Sequence, residues 1–269
     1  MRTLIIPAAG KGSRFSAAGY TAPKPFIRNS YDNEMMVVKA AEPFLNHVDE
    51  ASVLFDREHD TAYLDEFSSE IREAVQGARA RVVRGFRIHH QPQGASMSVL
   101  TMQGQIPDDA EVIVINSDQF FDEEAINRWF DHIDAHRPDG SLLTFSVPDK
   151  SDTRWSFCDV VASSIDNYCG ALVTRVVEKQ HISDVATCGA YYFRRWDYLR
   201  EAICLMVAAE DRTNNEFYLA PAYNYLKSHD ITSYHIGEHE FHGVGTPELL
   251  AAWEKVQAEG DSDAPATGN

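Results

Sequence analysis

Short apolar runs alternate with amphipathic stretches through the first half of this chain of 269 residues. Each apolar run predicts a buried strand and each amphipathic stretch predicts a helix. Such alternation indicates an α/β fold, and we expect a three-layer α/β/α sandwich around a mostly parallel central sheet. The predicted strands are residues 4–8, 52–55, 81–83, 112–116 and 142–147, and the predicted helices are 34–46, 61–76, 95–103 and 123–135.

The second half has a different pattern, in which strands follow one another without intervening helices. Residues 157–162, 172–178 and 186–194 predict three strands of a small β-rich subdomain, and helices are predicted at 197–209, 219–228 and 247–257. We therefore expect a single domain over residues 1–258, made of the halves 1–150 and 151–258. Residues 259–269 are rich in Gly, Asp, Ala and Pro, which predicts a disordered tail.

Charge and composition argue against several classes of partner. The chain has 24 Lys and Arg against 41 Asp and Glu, a net charge of −17, so neither nucleic acid nor an anionic membrane is expected to bind it. No apolar run approaches the ~20 residues of a membrane-spanning helix and no signal peptide is visible, which predicts a cytoplasmic protein. The cysteines lack metal-ligand or redox spacing and are expected to be reduced thiols; they are Cys158, Cys169, Cys188 and Cys204.

Residues 7–15 form a small-residue loop with the sequence Pro-Ala-Ala-Gly-Lys-Gly-Ser-Arg-Phe, directly after the first predicted strand. Gly10 and Gly12 would let the backbone turn sharply and present N–H groups to phosphate oxygens. Arg14 adds a planar guanidinium cation, and the nearby Lys24 adds a compact ammonium cation. The spacing fits neither a Walker loop nor a dinucleotide fingerprint, so taken alone the loop predicts either a phosphate site or an ordinary turn.

A second polar segment, residues 116–119 (Asn-Ser-Asp-Gln), follows the strand predicted at 112–116. It places Asp118 at the carboxyl edge of the sheet, where ligands bind in open α/β proteins. A carboxylate there is suited to Mg²⁺ beside phosphate oxygens. The alternative is a turn or helix-capping role before the helix at 123–135, although Asp122 is better placed to cap that helix.

Four further segments complete the pattern, at residues 176–179, 187–193, 214–219 and 243–250. In this order, all the segments together resemble the signature of the sugar-phosphate nucleotidylyltransferases, which have a Rossmann-like, glycosyltransferase-A-like fold. The resemblance spans residues 4–253. Residues 116–119, 155–156 and 214–217 are most similar to a branch of that family associated with capsule polysaccharides.

The resemblance implies an enzyme that moves a nucleoside monophosphate from a nucleoside triphosphate, with a pyrimidine base favoured, to a small phosphorylated acceptor. The acceptor would be a sugar phosphate or a related compound, pyrophosphate would be released, and the product would serve surface polysaccharide synthesis. The resemblance implies Mg²⁺ as cofactor and is compatible with a homo-oligomer. Residues 1–150 would hold the nucleotide and residues 151–258 the acceptor.

The resemblance also implies roles for individual residues. The β- and γ-phosphates would be bound by Gly10, Gly12, Ser13 and Arg14. The base would be held by the backbone of residues 8–10, which are Ala8, Ala9 and Gly10, and by the second loop around Gln93 and Gly94.

On the acceptor side, Lys24 would contact the α-phosphate and the attacking phosphate, and Lys179 would hold the acceptor's phosphate. Glu178 would accept hydrogen bonds from acceptor hydroxyls, and Asp118 would bind the metal. The resemblance thus makes Arg14, Lys24, Asp118 and Lys179 the catalytic groups; Asn116, Gly189 and Glu216 would complete the acceptor site. The simpler alternatives are a solvated strand end at Glu178 and Lys179, and an Arg14 that packs on Phe15.

One residue departs from the family pattern, because Gly243 stands where many relatives have an aspartate metal ligand. His242, Glu240 or Glu216 could replace it, or the metal could rely on Asp118, phosphates and water. Two other functions stay open at this point. One is a glycosyltransferase that uses a nucleotide sugar, and the other is a catalytically silent nucleotide-binding regulatory module.

Overall fold

A computed structural model describes residues 1–88, 93–161, 170–226 and 230–262. The strands are β1 Arg2–Ala8, β2 Glu50–Asp56, β3 Val82–Ile88, β4 Glu111–Ile115, β5 Gln119–Phe121, β6 Gly140–Ser146, β7 Ser156–Val161, β8 Ala171–Glu178, β9 Val185–Phe193, β10 Ile231–His235 and β11 Phe241–Gly243. The α-helices are α1 Ser13–Ala17, α2 Met36–Leu45, α3 Thr61–Ala74, α4 Ala95–Leu100, α5 Glu123–His136, α6 Trp196–Ala208 and α7 Pro247–Ser262. Short 3-10 helices occupy Lys24–Phe26, Ala220–Tyr225 and Glu238–Glu240.

Nine strands form one sheet in the order β3-β2-β1-β4-β9-β6-β10-β8-β7. The three pairings among the first four strands, β3–β2, β2–β1 and β1–β4, are all parallel, as predicted. β9 is antiparallel to both β4 and β6, and β7 and β8 are antiparallel to each other, so the sheet as a whole is mixed. The strands predicted for the small β-rich subdomain, β7 to β9, thus extend the same sheet.

Alternation along the strands places one hydrophobic core on each face of this sheet, which confirms the α/β fold. Leu4 and Ile6 of β1 face a core covered by α2, α3 and α5, whereas Ile5 faces a core covered by α4 and α6. Trp129 of α5 and Trp196 of α6 are fully buried in the two cores. Burying an aromatic side chain of this size contributes roughly 1.5–3 kcal/mol, so both helices are firmly attached.

Three short strands and one short helix, β5, β10, β11 and α1, were not predicted. Strands of three to five residues carry little periodic signal, and β5 and β11 exist as strands because they pair with each other. Their pairing sets Gln119 opposite Gly243 and forms a separate two-stranded sheet.

The helix predicted at 219–228 is instead the 3-10 helix Ala220–Tyr225. The side-chain amide of Asn224 bonds the backbone N–H and C=O of Val176 at 2.8 and 2.7 Å, which holds this segment against β8. α7 extends to Ser262, past the predicted end at 257 and into the segment predicted to be disordered. Ala258 and Glu259 favour helix, but Gly260 and Asp261 do not, so propensity explains only the first part of this extension.

Asp122 precedes α5 as predicted, but its side chain makes no capping hydrogen bond there. Cys158 and Cys188 are buried free thiols, and Cys204 is an exposed one. Predictions for residues 91–92, 162, 169, 227–228 and 263–269 lie outside the described residues. Within the part of the chain that is described, none of the helices combines the length and apolar character that crossing a membrane requires.

Candidate active site

The glycine loop connects β1 to α1 and contacts Lys24. Gly12 has a left-handed φ of 59°, and a Cβ built on it would lie 2.7 Å from Cβ of Lys24. Gly10 differs from it, because its φ is not in that region and a Cβ there would meet no atom within 4 Å. The two glycines therefore differ in what the backbone demands of them. Only Gly12 is required by the backbone and by the approach of Lys24.

Alanine substitutions of the two glycines are expected to differ in stability. Gly12→Ala forces a side chain into the left-handed region, at a cost of about 1–2 kcal/mol, and also pushes against Lys24. Gly10→Ala should leave the free energy of unfolding nearly unchanged. Urea unfolding of both variants measures this difference, and equal losses would contradict this account of the loop.

Lys24 and Asp118 meet between the 3-10 helix Lys24–Phe26 and the end of β4. The Lys24 ammonium forms an ion pair with Oδ2 of Asp118, and the two side chains are 19% and 25% exposed. The backbone N–H of Val244 donates to the Asp118 carbonyl at 2.8 Å, and a Cβ on Gly245 would lie 2.6 Å from Oδ2. The carboxylate of Asp118 is thus fixed beside Lys24, and its backbone carbonyl is bonded to Val244, the residue that follows β11. This geometry rules out the alternative that it caps α5.

Glu178 and Lys179 lie at the end of β8 and are not a solvated strand end, because the Glu178 side chain is only 5% exposed. The Ser156 hydroxyl donates to Glu178, and Nζ of Lys179 lies 3.2 Å from the other carboxylate oxygen. Lys179 also donates to the Tyr218 hydroxyl, with Nζ 3.7 Å from the centroid of that ring. Ser156 of β7 and Tyr218 therefore hold the Glu178 carboxylate and the Lys179 ammonium in fixed positions.

Burial and pairing shift the pKa values of these two groups. Burial raises the pKa of Glu178, and the hydrogen bond from Ser156 and the charge of Lys179 only partly offset this effect. Burial alone would lower the pKa of Lys179, but the Tyr218 hydrogen bond and the Glu178 charge outweigh it, so the net shift is upward. Lys179 is consequently a cation throughout the neutral pH range.

β9 lies along one side of the site and has a bulge there that contains Gly189. The pairing with β6 shifts register between Leu142 and Thr144, and Gly189 has a φ of 86°. Its carbonyl accepts from the Asn116 N–H at 2.9 Å, and a Cβ there would overlap the side-chain amides of Asn116 and Gln119. Gly189 therefore allows these amides to approach the strand closely.

Several residues of the site had no role in the sequence interpretation. Gln119 lies directly after Asp118, and its buried Oε1 has no hydrogen-bond partner among the described residues. Ser156 and Tyr218 bond the predicted pair Glu178 and Lys179. Each belongs to one of the segments 116–119, 155–156 and 214–219, but its importance depends on contacts between segments that are distant in the chain.

Two adjoining cavities gather most of the predicted residues. A cavity of about 340 Å³ adjoins one of about 660 Å³, and Pro7, Gly10, Ala95 and Glu216 line both. The smaller also contains Ala8, Lys24, Asn116, Asp118, Glu178, Lys179 and Gly189. The larger also contains Ala9, Gly12, Ser13, Gln93 and Gly94.

Arg14 is the predicted site residue that stands apart, since it is exposed on α1 and lines neither cavity. Of the three substitutes considered for the aspartate missing at Gly243, Glu240 is paired with Arg128, and His242 lines neither of these cavities. Glu216 lines both of them. In the described part of the chain, no three His, Cys, Asp or Glu side chains converge on a metal position.

Comparison with known proteins identifies the family. The model of the nucleotidyl transferase family matches residues 3–257, so this chain belongs to that family. The predicted enzyme class, a nucleotidyltransferase, is thereby confirmed. No curated protein sequence matches the chain significantly.

Solved structures show the same fold at low identity. A nucleoside-diphosphate-sugar pyrophosphorylase from Vibrio cholerae RC9 is 24% identical with a TM-score of 0.72, and the match covers 94% of this chain and 99% of that one. A UDP-glucose pyrophosphorylase complexed with UDP-glucose is 16% identical with a TM-score of 0.78, covering 97% and 99%. The inositol-1-phosphate CTP transferase of T. maritima is 13% identical with a TM-score of 0.68, covering 96% of each chain.

Proposed function

We propose that this enzyme transfers a nucleoside monophosphate from a pyrimidine nucleoside triphosphate to a sugar phosphate or a related small phosphorylated acceptor. The observation that carries the proposal is the pair of adjoining cavities. The larger contains the glycine loop, and the smaller contains Lys24, Asp118 and Lys179. The triphosphate would occupy the larger cavity and extend its α-phosphate toward Lys24, while the acceptor would occupy the smaller one.

In the proposed reaction, an acceptor phosphate oxygen attacks the α-phosphorus. A new phosphorus–oxygen bond forms, the bond to the β-phosphate bridging oxygen breaks, and pyrophosphate leaves. The attacking oxygen is already anionic, so no general base is required. Catalysis then consists of positioning and charge stabilisation, with Lys179 holding the acceptor phosphate and Lys24 stabilising charge at the α-phosphate.

Asp118 fits a divalent cation such as Mg²⁺ that keeps several water or phosphate ligands. Its carboxylate lines the smaller cavity and is partly exposed, and the cavity also contains the carboxylates of Glu216 and of Glu178, the latter held by Ser156 and Lys179. Mg²⁺ typically uses one or two protein carboxylates in this way. When bound, the cation would neutralise phosphate charge. Arg14 would assist the β- and γ-phosphates only if its side chain turned toward the larger cavity.

The choice of a pyrimidine base and the role in surface polysaccharide synthesis are supported by resemblance to family members. The small residues Ala8 and Ala9 and the Gln93–Gly94 loop resemble the pyrimidine-using members of the family, and two of the similar structures are named for UDP-glucose and CTP. The role in surface polysaccharide synthesis rests on the resemblance of residues 116–119, 155–156 and 214–217.

The proposal is tested by measuring pyrophosphate release with UTP, CTP, dTTP, ATP and GTP against a panel of phosphorylated acceptors. Release that depends on both a triphosphate and an acceptor supports it. Turnover of a nucleotide sugar without pyrophosphate would instead indicate a glycosyltransferase. Nucleotide binding without any turnover would indicate a regulatory module.

Lys179→Met provides a prediction specific to the acceptor. Loss of this charge-assisted contact is expected to raise KM for the acceptor about tenfold to a hundredfold, because such contacts are worth roughly 1.5–3 kcal/mol. KM for the triphosphate should change little. Steady-state kinetics with each substrate varied in turn distinguish the two constants, and a larger effect on the triphosphate would reverse the assignment of the two cavities.

A further inference from the structure

Thr213 to Glu216 form a tight hairpin turn that projects from the second half of the chain. The backbone N–H of Thr213 donates to the Glu216 carbonyl at 3.1 Å, and the N–H of Glu216 donates back to Thr213 at 3.0 Å. The two central residues, Asn214 and Asn215, have φ values of 51° and 63°. Positive φ at both central positions defines a type I′ turn, which asparagine and glycine adopt most readily.

This turn lines the larger cavity, although it belongs to the half of the chain expected to hold the acceptor. Asn214 and Asn215 are exposed and share that cavity with residues 10–13 and with Gln93 and Gly94. The need for positive φ explains the residue type at these positions. It does not explain why two exposed amides lie at a cavity that the glycine loop also lines.

Hydrogen bonds join the turn rigidly to the loop at Gln93. The N–H of Phe217 donates to the Gln93 carbonyl at 2.8 Å, and the N–H of Ser96 donates to the Phe217 carbonyl at 3.1 Å. A Cβ on Gly94 would lie 2.5 Å from the Phe217 carbonyl oxygen, so a larger residue would separate the two segments. The turn and the Gln93 loop therefore form one continuous wall of the cavity.

Arg212 adds a side-chain connection between the same two segments. Its Nη1 donates to Oε1 of Gln93 at 3.1 Å, and its guanidinium carbon lies 4.7 Å above the Phe217 ring. Glu210 pairs with the same guanidinium. Arg212 thus orients the Gln93 amide and is a positioning residue for this wall.

We propose that the turn at Asn214 and Asn215 recognises the nucleoside part of the triphosphate and so helps to select the nucleotide. The inference rests on the proposed function. Neutral amides offer both donors and acceptors, which match base edges and ribose hydroxyls. The phosphates are better served by the backbone N–H groups of the glycine loop and by lysine charges. Base selection is then shared between the two halves of the chain.

The key variant is Asn215→Gly, because an Asn-Gly pair is the preferred sequence of a type I′ turn and the backbone should be preserved. We expect KM for the triphosphate to rise about fivefold to tenfold, the effect of losing one neutral hydrogen bond. Asn33→Gly is the matched control, since Asn33 is also exposed with a φ of 62° but lines neither cavity. The control should leave KM unchanged.

Inhibition by inorganic tripolyphosphate separates nucleoside recognition from phosphate binding. Asn215→Gly should leave its inhibition constant unchanged, and a parallel loss would overturn the proposal. Comparing UTP with 2′-deoxy-UTP shows whether the ribose or the base is read. If the variant's effect disappears with the deoxynucleotide, the amide reads the ribose 2′-hydroxyl, and if it persists, another group of the nucleoside is read.

Nucleotide-induced thermal shift provides a second measurement that does not require turnover. If the wild-type protein binds a nucleotide but releases no pyrophosphate, the proposed function fails, and a smaller shift in Asn215→Gly still supports recognition by the turn. Equal shifts and equal KM values for Asn215→Gly, Asn214→Gly and the wild-type protein would overturn the inference.

Discussion

Replacing Lys24 with alanine is expected to lower the rate of pyrophosphate release by about 10²–10³-fold. Lys24 is the cation paired with Asp118 in the smaller cavity, where charge would develop on the α-phosphate. Removing one preorganised stabilising donor from such a site typically costs this factor. The effect should appear in kcat, measured by coupled detection of pyrophosphate at saturating concentrations of both substrates.

Lys39→Ala is the matched control for this variant. Lys39 is also a half-buried lysine paired with carboxylates, Asp32 and Glu34, and its side chain is 22% exposed, but it lines neither of the two cavities. Its removal should preserve kcat, and melting temperatures of both variants would show that they are folded. A Lys24→Ala enzyme that retains more than a tenth of the wild-type rate would remove Lys24 from the proposed mechanism.

Asp118→Asn is expected to cause a loss of similar size, about 10²–10³-fold, because the amide keeps the shape of the side chain but removes its negative charge. The substitution also removes the negative charge that pairs with Lys24. Among the described residues, Asp118 is the only carboxylate in an ion pair with this lysine. The rate should be measured over a wide range of Mg²⁺ concentrations. We expect activity to need much more Mg²⁺ than in the wild-type enzyme.

Asp122→Asn serves as the control for Asp118→Asn, because Asp122 is four residues away and lines neither cavity. The control should retain the wild-type Mg²⁺ dependence. If Asp118→Asn also retained it, the metal would have to be held by other groups, of which Glu216, a carboxylate that lines both cavities, is one candidate.

The sequence could place the glycine loop and Asp118 at one edge of the sheet because that placement depends only on neighbouring parallel strands. β1 and β4 pair directly, so the loop after β1 and Asp118 after β4 emerge at the same sheet edge. Lys24 could be placed in the site only through the family resemblance, and its ion pair with Asp118 is a feature that the structure adds.

Features that depend on distant contacts were not predictable. The antiparallel insertion of β9 between β4 and β6 makes the sheet mixed, and no local pattern encodes that pairing. The bonds from Ser156 and Tyr218 to Glu178 and Lys179 also join segments far apart in the chain. The difference between Gly10 and Gly12 depends on the position of Lys24, which cannot be deduced from the spacing of the glycines in the loop.

The position of β9 also has a consequence for how the chain folds. All nine residues of β9 are buried, and Val112 of β4 pairs with Phe193 of β9, so β4 completes its hydrogen bonds only after the second half has been synthesised. A fragment that stopped at residue 150 would leave β4 as an unpaired edge, which is a template for aggregation. Pairings of such long sequence separation also slow folding. Expression of the first half alone is therefore a poor route to a separate nucleotide-binding module.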